Sequence, residues 1–356
     1  MNIKQTPYSL MKIFHHPDIL QNLKEEKRCI PLYIRIKPTN KCNHNCYYCH
    51  YKNSYLNLDE YDGNDTIPYK KMMEIIEDIS DIGVKAVTFS GGGEPLFYSY
   101  IEEAMERILN KGIDLSIITN GSLLKEKKAE ILAHAKWVRL SIESINDEQY
   151  CKLRGIKRGS FELLCENIKK FSAIKDKTCE LGINFVITKE NYTQIREMAF
   201  LMKKLGANHV KFAPLICNNT EEYHKTIRET VIEELKKLEK ELSEEKFRII
   251  DLYTNDFNHD QVFKRVYNKC PIKEFSCVIA ANAKVYYCHD KAYLSSGRIF
   301  DLNEQSFKDG WFSEETEKIF REFEAMKCCK QHCVYDRRNE LINSFLEMDM
   351  NHINFI

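Results

Sequence analysis

The chain has 356 residues, of which 43% are hydrophobic and 30% charged, with 53 basic and 53 acidic side chains. This is the balance of a folded globular protein, long enough for a large α/β unit and a smaller second one, and it excludes a disordered chain. Zero formal net charge gives no long-range pull toward nucleic acid or an anionic membrane, and no apolar run approaches the ~18 residues that span a bilayer. Met1 to Tyr8 lacks the basic and apolar regions of a signal peptide, so the expected compartment is the cytoplasm.

Residues 1–30 read as an N-terminal extension. From Pro31 to about Pro214, short β-branched runs alternate with longer helical patterns. Leu32–Lys37, Val84–Ser90, Ile113–Thr119, Trp137–Ile142, Gly182–Thr188 and His209–Ala213 read as strands. Tyr69–Ile82, Ile101–Lys111, Lys125–Ala135, Ser160–Ala173 and Asn191–Leu205 read as helices. Gly83, Gly112 and Gly206 stand where a helix C-terminus wants a left-handed residue. Repeated strand–helix units imply a parallel sheet with right-handed crossovers. Six units fall short of the eight of a closed barrel, so the expected fold is a partial (β/α)6 barrel over residues 31–245. Glu221–Glu245 is strongly charged with leucines at helical spacing and reads as a surface helix leading out of the barrel. Residues 246–356 then form a small cysteine-rich α+β domain. Within it, Val278–Tyr287 resembles two short strands around Asn282, and Glu314–Met326 an amphipathic helix.

Fourteen cysteines in a reducing compartment point to metal binding or thiol chemistry. Cys42, Cys46 and Cys49 form a tight set directly after the first strand, where α/β barrels place their active-site loops. Their spacing lets a short loop wrap three thiolates around one inorganic core. A zinc ion would need a fourth ligand such as His44 or His50. A four-iron cluster held by three cysteines would leave one iron open. Cys270, Cys277 and Cys288 form a looser set, and Cys328, Cys329 and Cys333 a third. For most of Cys29, Cys151, Cys165, Cys179 and Cys217, core packing is the default reading.

Cys42-x3-Cys46-x2-Cys49, with aromatic Tyr48 before the last cysteine, resembles the signature of the radical S-adenosylmethionine (SAM) enzymes. The resemblance covers about residues 30–215. It implies that Cys42, Cys46 and Cys49 hold a [4Fe–4S] cluster whose open iron chelates SAM. The 5′-deoxyadenosyl radical made from SAM then takes a hydrogen atom from substrate. Ser90–Gly91–Gly92–Gly93–Glu94–Pro95 matches the family's glycine–glycine–glutamate–proline motif. Gly92 and Gly93 would let backbone approach SAM, and a carboxylate or carbonyl at Glu94 could accept from its amino group. Asn120 ends the third strand, and Ser141 and Glu143 end the fourth, where related enzymes contact SAM. Arg154 resembles an arginine that contacts the SAM carboxylate; a surface salt bridge is its other reading.

The tail resembles the Twitch domain, the shorter relative of the SPASM domain. That likeness implies one auxiliary iron–sulfur cluster, expected as [4Fe–4S], on Cys270, Cys288, Cys329 and Cys333, with Cys277 and Cys328 as competitors and zinc as the alternative metal. Ala283 stands where that family has a turn glycine, and Asn282 is expected to supply the left-handed backbone.

The implied activity is oxidation or epimerisation of a small polar molecule: a sugar, amino-sugar or nucleotide-linked metabolite. It would need an electron donor such as flavodoxin or ferredoxin. Peptide-modifying members often carry an N-terminal peptide-binding domain, for which about thirty residues leave no room, so a peptide or protein maturase is the second reading. A non-catalytic iron–sulfur or zinc protein is the third, disfavoured because it needs no SAM pocket. Cys217, on the loop after the sixth strand, is the candidate hydrogen-atom donor; its other reading is an uninvolved loop residue.

Overall fold

The computed structural model describes residues 8–52, 57–217, 219–254, 265–329 and 333–354. Residues 1–7, read above for signal-peptide features, and Asn218 of the Cys217 loop lie outside them. The strands are β1 (Tyr33–Ile36), β2 (Ala86–Phe89), β3 (Asp114–Thr119), β4 (Trp137–Ser141), β5 (Glu180–Ile187), β6 (His209–Pro214), β7 (Arg248–Asp251), β8 (Ser276–Ile279), β9 (Lys284–Tyr286) and β10 (Arg298–Asp301). The helices through the first 242 residues are α1 (Pro17–Lys24), α2 (Tyr69–Asp81), α3 (Ile101–Asn110), α4 (Glu126–Ala133), α5 (Asp147–Arg154), α6 (Ser160–Ile174), α7 (Ile195–Lys204), α8 (Thr220–His224) and α9 (Arg228–Leu242).

All ten strands join one sheet in the order β10-β9-β8-β1-β2-β3-β4-β5-β6-β7. The pairs from β1 to β7 are parallel, as expected from the repeated crossovers. The six strands read from sequence are all present, and two more parallel strands extend them. At one edge, β7 pairs with β6. At the other, β8 pairs in parallel with β1, Tyr33 opposite Ser276 and Ile36 opposite Ile279. The hairpin of the tail is therefore built onto the barrel sheet.

The period of the sequence decides which faces are covered. Ile34 and Ile36 of β1 and Val138 and Leu140 of β4 are buried against the helical layer. Alternate residues Tyr33 and Arg35, and Trp137, Arg139 and Ser141, keep partial exposure on the other face of the sheet. The helices cover the apolar face with stripes at helical spacing, such as Met72, Ile75, Ile76 and Ile79 on α2. Gly83, Gly112 and Gly206 adopt positive φ after α2, α3 and α7. Cys29, Cys151 and Cys179 are buried, and Cys165 packs partly buried against the core.

Three details differ from the sequence reading. The charged stretch after residue 220 is two helices, and α9 buries Val231, Leu235, Leu238 and Leu242. It does not lead out of the barrel but delivers β7 back to the sheet. The helix expected over Glu314–Met326 ends at Glu322. In the β8–β9 turn the left-handed residue is Ala283 itself, at φ 56. Asn282 instead uses its side chain, donating to Tyr286 Oη (2.8 Å) and the Glu60 carbonyl (3.2 Å). These bonds hold the turn where alanine replaces glycine.

The described part of the extension packs against the tail. Ile13, Leu20 and Cys29 form a cluster with Ile272, Phe275 and Ile342. Arg28 anchors it: the guanidinium lies 3.6 Å from the Phe320 ring centroid and 4.3 Å from that of Trp311. It also pairs with Glu274 at 2.9 Å. Desolvated cation–π contacts and a charge-assisted hydrogen bond together make Arg28→Ala cost about 2 kcal/mol. The expected result is a lower urea midpoint with an unchanged slope, read by far-UV circular dichroism.

Candidate functional site

The site starts at the loop after β1. Cys42 is exposed, and Cys46 and Cys49 are half-buried. All fourteen cysteines are free. The Cys42 sulfur accepts from the His44 amide at 3.4 Å. Among the described residues, no three His, Cys, Asp or Glu side chains are close enough to form a ready-made site for one metal ion.

Two neighbouring strand ends pin this loop. The amides of Gly93 and Glu94 donate to the carbonyls of Thr39 (2.9 Å) and Lys41 (3.0 Å). A Cβ on Gly92 would lie 1.7 Å from Asn40 Oδ1, and one on Gly93 would lie 2.0 Å from the Lys41 carbonyl oxygen. Glycine is required at both positions for this close approach. The Glu94 carboxylate turns inward. It accepts from Thr119 Oγ1 (2.5 Å), the Asn120 amide (2.8 Å) and the Leu96 amide (3.0 Å). Burial raises its pKa, and these three donors oppose the rise. With the carboxylate so engaged, a ligand at this motif meets its backbone. Asn120 donates from Nδ2 to Asn43 Oδ1 at 2.9 Å, tying the end of β3 to the cysteine loop.

The other side of the loop is fixed by α5, a helix the strand–helix pattern did not reveal. The amides of Asn45 and Tyr47 donate to the carbonyls of Arg154 (2.8 Å) and Leu153 (3.3 Å). Gly155 ends the helix at φ 59, and a Cβ there would come within 3.0 Å of the Asn45 carbonyl oxygen. Arg154 is 3% exposed, so its salt bridge is not a surface one. It pairs with buried Glu143 at 2.5 Å and donates to the Ser141 carbonyl. The Tyr48 hydroxyl donates to the same Glu143 oxygen at 2.5 Å. Burial, followed by the Glu143 charge, holds that phenol far above its ordinary range. Arg154 Nε is buried without a hydrogen-bond partner among the described residues. Tyr48, Glu143 and Arg154 thus lock the loop to the end of β4.

The second cysteine set converges elsewhere. Cys270, Cys288, Cys329 and Cys333 all line one cavity, together with apolar Ile272, Phe323 and Ala325. Cys277 is buried in the main core on β8, and Cys328 does not line the cavity. The Cys333 sulfur accepts from the Tyr335 amide at 3.4 Å. His50 and His289, each directly following a cysteine of one set, stack with centroids 6.0 Å apart. Lys37, at the end of β1, is fully buried, and its ammonium donates to Tyr51 Oη at 2.6 Å. Burial first, then Arg35, pushes its pKa well down. This lysine carries no motif, and only its place at the end of an interior-facing series of strand residues marks it. Cys217 is half-buried on the loop after β6, its amide donating to Thr220 Oγ1 at 2.9 Å.

Comparison with known proteins bears on family and fold. The family model "Radical SAM superfamily" matches residues 36–202, and the model "Iron-sulfur cluster-binding domain", SPASM, matches residues 270–334. A probable GTP 3′,8-cyclase from Methanocaldococcus jannaschii is 34% identical over 187 residues, 51% of this chain and 59% of that protein. The subtilosin biosynthesis protein AlbA of Bacillus subtilis is 26% identical over 181 residues, 50% of this chain and 38% of that protein. The chain spans about half the length of the curated cyclases it matches. Among solved structures, Streptococcus suis SuiB bound to precursor peptide SuiA covers 98% of this chain and 81% of its own, with TM-score 0.63 and 19% identity. The structure of anSMEcpe with bound AdoMet and Cp18Cys peptide covers 87% of this chain and 88% of its own, with TM-score 0.59 and 18% identity. These two likenesses concern the fold.

The buried pair sets a test of the loop's anchorage. Glu143→Ala leaves Arg154 buried without its carboxylate, which costs about 3–5 kcal/mol. Tyr48→Phe removes one hydrogen bond and costs about 1 kcal/mol. Urea unfolding of the two variants is expected to show that order.

Proposed function

Because the chain belongs to the radical SAM superfamily and carries a C-terminal SPASM iron–sulfur domain, we propose that it modifies a peptide or protein side chain by hydrogen-atom abstraction. The family assignment brings a SAM-binding [4Fe–4S] cluster and an auxiliary SPASM cluster. The donors are of the kind both need: three free thiols on one pinned loop, and four free thiols around one cavity. We assign Cys42, Cys46 and Cys49 to the first group, and Cys270, Cys288, Cys329 and Cys333 to the second. When bound, the first cluster supplies the electron that cleaves SAM to the 5′-deoxyadenosyl radical.

The chain's own residues then have distinct tasks. Gly92 and Gly93 bring backbone up to the cofactor, and Glu94 and Asn120 hold that backbone in place. Ser141, Tyr48 and Arg154 bound the SAM pocket on the other side, with Glu143 fixing their orientation. Immobile walls suit this chemistry, because a reactive radical must meet one hydrogen and no other.

One observation carries the peptide reading. The anSMEcpe chain and this one cover each other at 88% and 87%, and that chain was solved with bound AdoMet and Cp18Cys peptide. A fold of similar size thus holds a peptide in that protein, which supports a peptide substrate over a small metabolite here. At the rim, Tyr47 and Ile216 remain 57% and 59% exposed, apolar surface suited to peptide contacts. The cyclase matches favour a nucleotide-type substrate as the second reading. Reconstituted enzyme with SAM, reductant and a short-peptide library separates them. Peptide-dependent 5′-deoxyadenosine and a peptide of altered mass are expected. Stimulation by nucleotides or sugars alone would overturn the reading.

Replacing Cys42, Cys46 and Cys49 together with alanine is expected to abolish 5′-deoxyadenosine formation. Iron–sulfur absorption and a Mössbauer signal from the tail should remain. A protein with no remaining cluster would remove the auxiliary assignment.

We propose Cys217, half-buried on the loop after β6, as the thiol that returns a hydrogen atom to a substrate radical. If it does, the product is an epimer that acquires solvent deuterium, and Cys217→Ala still makes 5′-deoxyadenosine but no inverted product. Product without solvent deuterium, unchanged in the variant, assigns the reaction to oxidation.

A further inference from the structure

Two arginines lie inside the partial barrel with no acid at ion-pair distance among the described residues. Arg35 on β1 and Arg139 on β4 both occupy interior-facing alternate positions. Arg35 lies deep among protein atoms, and both retain some accessible surface. The Nε of each is buried and has no hydrogen-bond partner among the described residues. The ion pairs of the described residues, which include Arg28, Arg154 and Arg248, include neither Arg35 nor Arg139. Aromatic side chains are prominent among their neighbours. Tyr33 is hydrogen-bonded to Arg35, with Tyr335 and Tyr51 close by, and the Trp137 ring lies 5.9 Å from Arg139.

His289 joins them. It is deeply placed, its Nδ1 is buried and unpartnered, and its surroundings include Arg35, Lys37 and Arg139. The carboxylate that meets this group is Asp290, which faces Arg35, Lys37 and Lys291 and is engaged with Cys333. Of the two guanidiniums, which stay charged at any working pH, this acid faces Arg35. The thiolates of the tail do not account for them, because their cavity has cations of its own, Arg265, Lys273 and Lys291, and neither Arg35 nor Arg139 lines it. Buried charge without a partner is costly, and proteins keep it where a ligand completes the pair.

We propose that Arg35 and Arg139 form an anion-binding subsite inside the barrel, which receives a carboxylate or phosphate group of the substrate. The planar forks suit either group through paired N–H donors. In the peptide reading, on which the substrate assignment rests, the group is an acidic side chain or the terminal carboxylate. The subsite positions the reacting residue at the mouth by holding the substrate's anionic end below it.

The test is binding, so it is decided separately from the identity of the substrate. Reconstituted, SAM-loaded holoenzyme is titrated by calorimetry with pyrophosphate and, separately, with glutarate. One of the two anions is expected to bind with one site per chain, and the tighter one tells phosphate from carboxylate. Arg139→Gln and Arg35→Gln should each weaken it at least tenfold, with cluster absorbance and SAM affinity unchanged. Arg158→Gln, an exposed control, should match the parent. Absence of binding by both anions, or binding by Arg139→Gln equal to the parent, would overturn the subsite. Stability gives a second measurement. Removing a half-buried guanidinium with no acid at ion-pair distance should leave the ligand-free melting temperature of Arg139→Gln at or above the parent's. A fall of several degrees would mark the guanidinium as structural and overturn the proposal.

Discussion

The parallel pairing of β1 with β8 is the constraint on which the arrangement depends. Its register sets Tyr33 beside Ser276 and Ile36 beside Ile279. The loop carrying Cys42, Cys46 and Cys49 leaves the carboxyl end of β1. Cys270 precedes the amino end of β8, and antiparallel β9 returns the chain so that Cys288 follows at that same end. A short stretch of hydrogen-bonded backbone therefore fixes the relation between the two thiol sets. Two strands in register cannot slip by one residue without turning every side chain to the other face. Arg35 and Lys37 would then leave the interior, and the stacked His50 and His289 would separate.

Two buried carboxylates convert this frame into a rigid site. Glu94 is saturated by donors from its own loop and from the end of β3. Glu143 is held by Tyr48 and Arg154. Each acid joins strand ends that the sheet alone leaves free to move. Their charges are tolerated because every oxygen engaged has a donor at hydrogen-bond distance, the condition under which a buried ion is stable. The glycines at 92, 93 and 155 do the complementary work by omission, since a methyl group at any of them meets backbone or side chain of the cysteine loop.

Much of this was legible in the sequence, for identifiable reasons. The β-branched runs and the 3.6-residue stripes are local signals, and they located the six strands and the helices between them. The glycines after α2, α3 and α7 fell where positive φ was required. The cysteine spacings grouped Cys42, Cys46 and Cys49, then Cys270, Cys277 and Cys288, then Cys328, Cys329 and Cys333, and the family resemblance chose among the tail cysteines. What was not legible is non-local. Nothing in Ser276–Ile279 states that its partner is β1, some 240 residues earlier. The left-handed Ala283 was hidden because its support comes from Asn282 reaching Glu60. Glu94 reads as a carboxylate or carbonyl acceptor in a motif, and the sequence does not show that its carboxylate is bonded to Thr119, Asn120 and Leu96. The substrate class is not written in any local motif, because it depends on the shape of the whole interior rather than on one segment.

The remaining asymmetry lies between the two faces of the same sheet. The outer face follows the rules of a core: aliphatic side chains against helices, with little exposed. The inner face breaks them, with Arg35, Lys37 and Arg139 set among tyrosines and histidines. A chain selected only for stability would fill that space with isoleucine and leucine, as closed barrels do. Retaining cations there costs folding energy, and the fold tolerates it because the outer face is large and continuous. The departure lies on strands of the parallel sheet, among them β1, whose carboxyl end leads into the Cys42–Cys49 loop. Charge that the protein does not answer within itself, placed on rigid strands, is a means of drawing in and orienting an anionic substrate without moving any wall of the site.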